Sequence, residues 1–168
     1  MKCFVSLATI LSLSIFALIQ ADDEEKVPLD KLPKAIVEAV KKKFPKAELV
    51  GASKEKEDGK TVYEVAIKED GKKIDISLTD EGTILGLEKE IGAKELPKAV
   101  TETLESKYPK ATYKTIEALI KIKDGQENLE EYEVLLVTAE KKTIEIVLSP
   151  DGKIKKTEEK KSEKEEKK

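Results

Sequence analysis

The chain has no histidine and no tryptophan, and its 168 residues include a single cysteine. It has no arginine either: all 32 of its basic side chains are lysine. These absences exclude whole classes of chemistry. A Ser-His-Asp or Cys-His centre needs an imidazole to carry the proton. One cysteine without histidine cannot build a zinc site. Bidentate guanidinium clamps for phosphate or carboxylate are missing as well. Aromatics make up only 4% of the chain. What is abundant is charge: 40% of residues are ionisable, and 35 acids against 32 bases leave a net charge of −3.

The uncharged stretch lies at the N-terminus. Lys2 precedes an apolar run centred on Phe4–Ile19, and Ala21 is followed by Asp22-Asp23-Glu24-Glu25. One positive charge, an apolar centre and a small final residue form an export leader, so residues 1–21 are expected to be a signal peptide cut near Ala21. An uncleaved membrane anchor is the alternative, because the run is long enough to nearly span a bilayer. Cleavage would remove Cys3, the only cysteine, and leave no disulfide in a compartment that permits them. From Lys155 onward there are 7 lysines, 5 glutamates and no apolar residue. Such a segment has nothing to offset its ordering entropy, and residues 157–168 are expected to be a disordered tail. Residues 22–154 carry 24 lysines against 30 acids, a balance that argues against a nucleic-acid partner.

Between these ends the sequence repeats. Leu32-Pro33-Lys34-Ala35 returns as Leu96-Pro97-Lys98-Ala99, and Phe44-Pro45-Lys46-Ala47 as Tyr108-Pro109-Lys110-Ala111. Nine of sixteen positions are identical over 32–47 and 96–111. Tyr63-Glu64-Val65 recurs as Tyr132-Glu133-Val134, and Ile74–Leu78 aligns with Ile144–Leu148. The offset drifts from 64 to 70, which places an insertion in the second copy near Gly125–Glu130. A period this persistent marks a duplicated unit.

Each unit opens with a helix. Pro33 and Pro97 suit the first helical position. Ile36, Val40 and Phe44, like Val100, Leu104 and Tyr108, fall at i, i+4 and i+8 and form one apolar stripe. Pro45 and Pro109 end the helices. Strands follow, expected at about 47–57, 61–69, 72–80 and 83–89, then at 111–123, 131–139, 142–149 and a short 152–156. Tyr63, Val65 and Ile67 alternate with Glu64, Ala66 and Lys68, and Ile74, Ile76 and Leu78 with Lys73, Asp75, Ser77 and Thr79. That period of two belongs to a sheet covered on one face. The Asp-Gly pairs at 58–59 and 70–71 are hairpin signals. The expected fold is α+β: two tandem repeats, each one helix packed on an antiparallel four-stranded β-sheet.

Motifs that suggest chemistry do not survive their context. Ser53-Lys54-Glu55-Lys56 fits Ser-x-x-Lys, but on a strand Ser53 and Lys56 point to opposite faces. Gly59-Lys60-Thr61 lacks the earlier glycine of a phosphate loop, since position 54 is lysine. Asp80-Glu81-Gly82 lacks the ordered oxygen ligands of a calcium loop and reads as a turn. Carboxylate pairs abound, yet no defined cleft or tryptophan selects one for glycoside hydrolysis. No catalytic residue, cofactor or metal is expected.

The outer face of the second sheet is unusual. Leu135 and Val137 lie opposite in phase to Tyr132, Val134 and Leu136, and Val147 points outward between Ile146 and Leu148. Tyr113, Leu119, Ile120 and Ile122 leave the preceding strand ambiguous. These residues are either covered within the chain or form a binding patch. Candidate partner-binding residues are Glu64, Lys73, Asp75 and Ser77 in the first half, with Leu135, Val137 and Val147 in the second.

The unit Leu-Pro-x-Ala, Phe/Tyr-Pro-x-Ala, Tyr-x-Val and a turn such as Asp80…Gly82 or Asp151-Gly152 resembles the PepSY-like domain family, also described as beta-lactamase-inhibitor-like. The resemblance covers nearly all of 29–156, as repeats at 29–92 and 93–156 after a linker at 22–28. It implies an exported, non-catalytic domain, often in tandem. PepSY domains are associated with restraining peptidases, and the inhibitor protein grips its enzyme with a concave sheet and projecting loops. Here the disulfides are missing and the outer faces lack aromatic anchors, which weakens lactamase inhibition but not protein binding. The expectation is a periplasmic or secreted protein that binds an unknown protein or peptide, a peptidase being one candidate. It would inhibit or modulate that partner through the sheet face and hairpin loops. It would touch a membrane only through an uncleaved leader. A small-ligand or cell-surface binding module is the alternative, and an unrecognised hydrolase a more distant one.

Overall fold

The computed structural model describes residues 25–57 and 59–160. The expected leader at 1–21, residues 22–24 of the expected linker, residue 58 and residues 161–168 lie outside them. In chain order the elements are β1 (Glu25–Lys26), α1 (Lys34–Lys43), β2 (Glu48–Glu57), β3 (Lys60–Glu69), β4 (Lys72–Thr79), β5 (Ile84–Glu90), α2 (Lys98–Lys107), β6 (Thr112–Lys123), β7 (Gln126–Val137), β8 (Thr143–Leu148) and β9 (Ile154–Lys160). Short 3-10 turns at Leu29–Lys31 and Ala93–Glu95 precede the helices.

The strands form one antiparallel sheet in sequence order, β1 to β9. This corrects the expectation of a separate four-stranded sheet for each repeat. The join is β5 on β6, with Gly86 opposite Lys121, Leu87 opposite Ile120 and Glu88 opposite Leu119. Either strand left as an edge would present a row of unpaired backbone groups, and pairing across the repeat boundary satisfies both. Residues from the expected linker supply β1, which pairs with β2.

Both helices lie on the same side of their sheet halves. Ile36, Val40 and Phe44 of the first helical stripe bury against Val65, Ile67, Ile74, Ile76, Leu78 and Leu87. In the second half, Val100 and Leu104 bury against Ile116, Tyr132, Val134, Leu136, Ile146 and Leu148. The two cores exchange residues. Ile120, from β6, completes the first core, while Ile91, just past β5, packs against the second and donates its N–H to the Ile116 carbonyl at 2.9 Å. Pro33 and Pro97 sit one residue before their helices, with ψ of 137° and 148°. They cap the helices rather than occupy the first turn, because their backbone is still extended.

The insertion in the second copy is strand, not loop. Asp124 and Gly125, at φ of 52° and 76°, make the tight turn that suits a two-residue hairpin. The ladder then runs from Lys123 opposite Gln126 to Thr112 opposite Val137. Its tip reaches back to the first half: Glu127 pairs with Lys43 of α1 at 2.7 Å and with Lys89 of β5 at 2.8 Å.

The C-terminal strand is also longer than its composition implies. Lys156–Lys160 pair with β8, down to Lys160 opposite Thr143, so residues 157–160 are not part of a disordered tail. An edge strand draws its stability from backbone pairing and needs few apolar side chains. Ile154 packs against the second core, and ion pairs Lys160–Glu145 (3.0 Å) and Lys142–Glu159 (2.9 Å) lie along the strand.

Candidate functional site

The sheet face turned away from the helices follows from register and alternation. One row across it runs Glu64, Ser77, Gly86, Lys121, Asn128. The next runs Ala66, Asp75, Glu88, Leu119, Glu131. A third places Glu90 opposite Glu117, then Glu133, Val147 and Lys156. A fourth runs Thr115, Leu135, Glu145, Glu158. No helix of the described chain covers this face, yet parts of it are well shielded. Asp75 is 4% exposed, Leu119 1% and Val147 8%. Neighbouring side chains of the same face lie around them, Glu88 beside Asp75 and Leu119, and Glu133 and Lys156 beside Val147. Bulges at Ser77/Leu78, Leu119/Ile120 and Val147/Leu148 bend the strands.

The candidate residues fall into two groups on this face. Glu64, Lys73, Asp75 and Ser77 stand together on β3 and β4, with Glu64 directly opposite Ser77. Leu135, Val137 and Val147 stand together on β7 and β8. Val147 is buried, so it offers no free apolar contact; Leu135 and Val137 are half-buried. The β5–β6 join lies between the groups and supplies residues outside the candidate set: Glu88, Glu117 and Leu119. Glu117 and Leu119 lie on the strand whose phase the sequence left ambiguous, and only the outward phase of Glu88 was legible. Their proximity was not, because it depends on a pairing between the repeats.

The electrostatics of the centre are those of crowded acids. Burial holds the Glu88 carboxyl up at about 8, reinforced by the charges of Glu64, Glu117, Glu133 and Asp75. Burial likewise lifts Glu133 to about 7, with Glu145 and Glu117 adding to it. Glu117 is raised by burial and by Asp75, with Lys73 opposing. Lys73 donates to Asp75 Oδ2 at 2.7 Å, and its backbone N–H donates to Glu90 Oε2 at 3.3 Å. Asp75 Oδ1 is buried and has no hydrogen-bond partner. Like charges opposed across a sheet are unfavourable, so this arrangement costs the free chain stability.

Other surfaces are plainer. A depression lined by Ala99, Glu102, Thr103, Ser106, Lys107 and Asp151 lies along the outside of α2, not between helix and sheet. Among the described residues no cluster of three or more acids or cysteines is placed to hold a metal ion, and no helix is long and apolar enough to cross a membrane. Ser53 is buried on β2, on the strand where its parity opposes that of Lys56.

Comparison with known proteins follows the same lines. A BLIP-like protein from Bacteroides fragilis NCTC 9343 superposes with a TM-score of 0.55 at 19% identity, over 77% of this chain and 89% of that one. A DUF2874 family protein from Bacteroides uniformis ATCC 8492 gives 0.59 at 16%, over 76% and 88%. A structure from Bacteroides eggerthii DSM 20697, described as "putative periplasmic proteins", gives 0.60 at 13%, again over 76% and 88%. These likenesses establish a shared fold. No curated protein matches. The family model described as "Putative beta-lactamase-inhibitor-like, PepSY-like" matches twice in tandem, at residues 20–86 and 86–156. With helix, strands and turn recurring in both halves, the chain belongs to this PepSY-like, beta-lactamase-inhibitor-like family.

Proposed function

We propose that the chain is an exported, non-catalytic binding protein that docks a protein or peptide partner on the helix-free sheet face and so modulates a hydrolase, a peptidase being the first candidate. The observation that carries this reading is the continuity of that face across the β5–β6 join. Two repeats acting separately would each offer a few strands; joined, they offer a surface wide enough for a partner. Glu64, Lys73, Asp75 and Ser77 would contribute its polar side, and Leu135 and Val137 its apolar side, with Val147 beneath them. The export leader at 1–21 and the description of a fold relative as periplasmic support a location outside the cytoplasm.

Affinity capture from the periplasmic or secreted fraction tests the surface. Wild type is compared with Val137→Glu on the open face and Lys41→Glu on the exposed side of α1. A partner lost only with Val137→Glu supports the reading, and its hydrolase activity is then assayed with and without the chain. Retention of every captured protein by Val137→Glu removes this face from contention.

A further inference from the structure

One stretch of sheet border lies inside the fold rather than at its ends. β7 pairs with β8 only from Tyr132, opposite Leu148. Its earlier residues, Gln126 to Glu131, pair with β6 alone, because β8 ends at Leu148 and the chain turns back at Ser149–Gly152. In the first repeat the equivalent strand is paired with β4 from Val62 onward, so this arm belongs to the insertion in the second copy. Turn geometry decides which of its backbone groups face outward. Asp124 and Gly125 close a two-residue hairpin, so Lys123 and Gln126 exchange both their bonds and the pattern alternates from there. The N–H and C=O of Glu127 and Leu129 therefore point away from β6. Among the described residues no ladder or turn bond receives them.

The side chains add a second, independent observation. Leu129 stands opposite Ile120, a member of the first core, which puts it on the helix side of the sheet. It is nonetheless 43% exposed, with a core residue on one flank and no strand on the other. The charge of the arm has one sign. No lysine occurs between Lys123 and Lys141, although lysine is a common guard of sheet edges and recurs along β9. Of the acids on the arm, Glu127 alone forms ion pairs among the described residues. Glu131 stands in an open-face row opposite Leu119, and Glu130 lies at the bulge beside it.

We infer that this arm receives an extended segment of a protein partner, which adds a strand beside β7, bonds the outward N–H and C=O of Glu127 and Leu129, and alternates apolar with basic residues. Strand addition draws affinity from main-chain bonds and specificity from alternate side chains. On an added strand, successive side chains fall on opposite faces. Those on the helix side pack against Leu129 and are apolar; those on the open-face side meet Glu130 and Glu131 and are basic. The same acids oppose pairing of the arm with that of another molecule, because like charges facing each other across strands are unfavourable. The site is on a border of the sheet, separate from the open-face surface, so neither reading depends on the other.

The test uses the full mature chain and three capped heptapeptides. One alternates lysine with valine, one alternates glutamate with valine, and the third is the lysine–valine peptide with its backbone nitrogens methylated. Backbone amide shifts and hydrogen exchange locate binding, and calorimetry measures it. The expected result is that the first peptide shifts Gln126–Glu131 and slows exchange at Glu127 and Leu129, with the other two weaker by about tenfold or more. Glu130→Lys should weaken the first peptide by a similar factor, and Val137→Glu, on the open face, should leave it unchanged. Leu129→Pro removes an outward N–H that takes no part in the β6 ladder, a position where an edge strand accepts proline, and should abolish binding. If that variant unfolds, Glu130→Lys and the methylated peptide decide. Equal binding of the methylated peptide means charge attraction without strand addition and overturns the inference. So do equal binding of the glutamate peptide, shifts confined to β9 or the open face, and no binding of the lysine–valine peptide at all. Binding lost with Val137→Glu and kept with Glu130→Lys removes the arm while the open-face surface stands.

Discussion

Glu88 and Asp75 face each other across β4 and β5, both on the side that neither helix covers. The protonation of Glu88 therefore depends, beyond its own burial, on carboxyls from four other strands: Glu64 on β3, Asp75 on β4, Glu117 on β6 and Glu133 on β7, while Lys73 on β4 acts on Glu117. The folded chain keeps a proton at about 8 on a group that gives it up near 4.5 when unfolded. In that window the native state binds more protons than the unfolded one, so stability falls as pH rises. Urea denaturation at pH 5, 7 and 9 should show this decline, with Glu133, at about 7, adding to it.

Glu88→Gln removes the titration but keeps the shape. It should raise stability at pH 9 by about 1–3 kcal/mol and change little at pH 4, where the wild-type carboxyl is already neutral. An unchanged slope between pH 5 and 9 in the variant would show that the decline arises elsewhere.

Gly82 and Gly152 occupy equivalent turns, each facing the first turn of its helix. A Cβ on Gly82 would lie 2.6 Å from the Ala35 carbonyl oxygen, and one on Gly152 would clash with that of Ala99. Both have positive φ, +81° and +84°. Alanine at either position should cost about 2–4 kcal/mol, from backbone strain and a steric clash that must push the helix away. Gly71 is the control: its φ is +83°, but nothing lies within 4 Å of its Cβ position, so alanine there should cost only about 1 kcal/mol. Thermal melts of the three variants separate the two effects.

Ile120 belongs to the second repeat in sequence and to the first core in space. Ile120→Ala should cost about 2–4 kcal/mol and lower a single, shared unfolding transition. Calorimetry that resolved two transitions, with only the second shifted, would contradict the exchange of core residues. Glu127→Gln, which loosens the contact of the hairpin tip with Lys43 and Lys89, should cost less than about 1 kcal/mol because these pairs are partly exposed.

Much of this architecture is written in the sequence. The helix stripes, the alternation of Val65 with Glu64 and Ala66, and the turns at Gly82 and Gly152 are local signals that tertiary packing reinforces. What could not be read is whatever depends on a distant partner. The β5–β6 pairing leaves no local trace, since its strands are separated by α2. For the same reason the crowding of Glu88 with Glu117 was hidden. Composition also misled at β9, where Lys155–Lys160 carry no apolar residue yet complete a ladder whose bonds come from the backbone.

The outermost strand has one further consequence. Beyond it no tenth member of the sheet is found among the described residues, and its side chains are a fringe of lysine and glutamate. A second molecule sliding alongside would have to strip water from this fringe and match its alternating signs before any amide could engage. A fold that grew by copying itself thus carries, on its last described border, a deterrent to unlimited lateral growth.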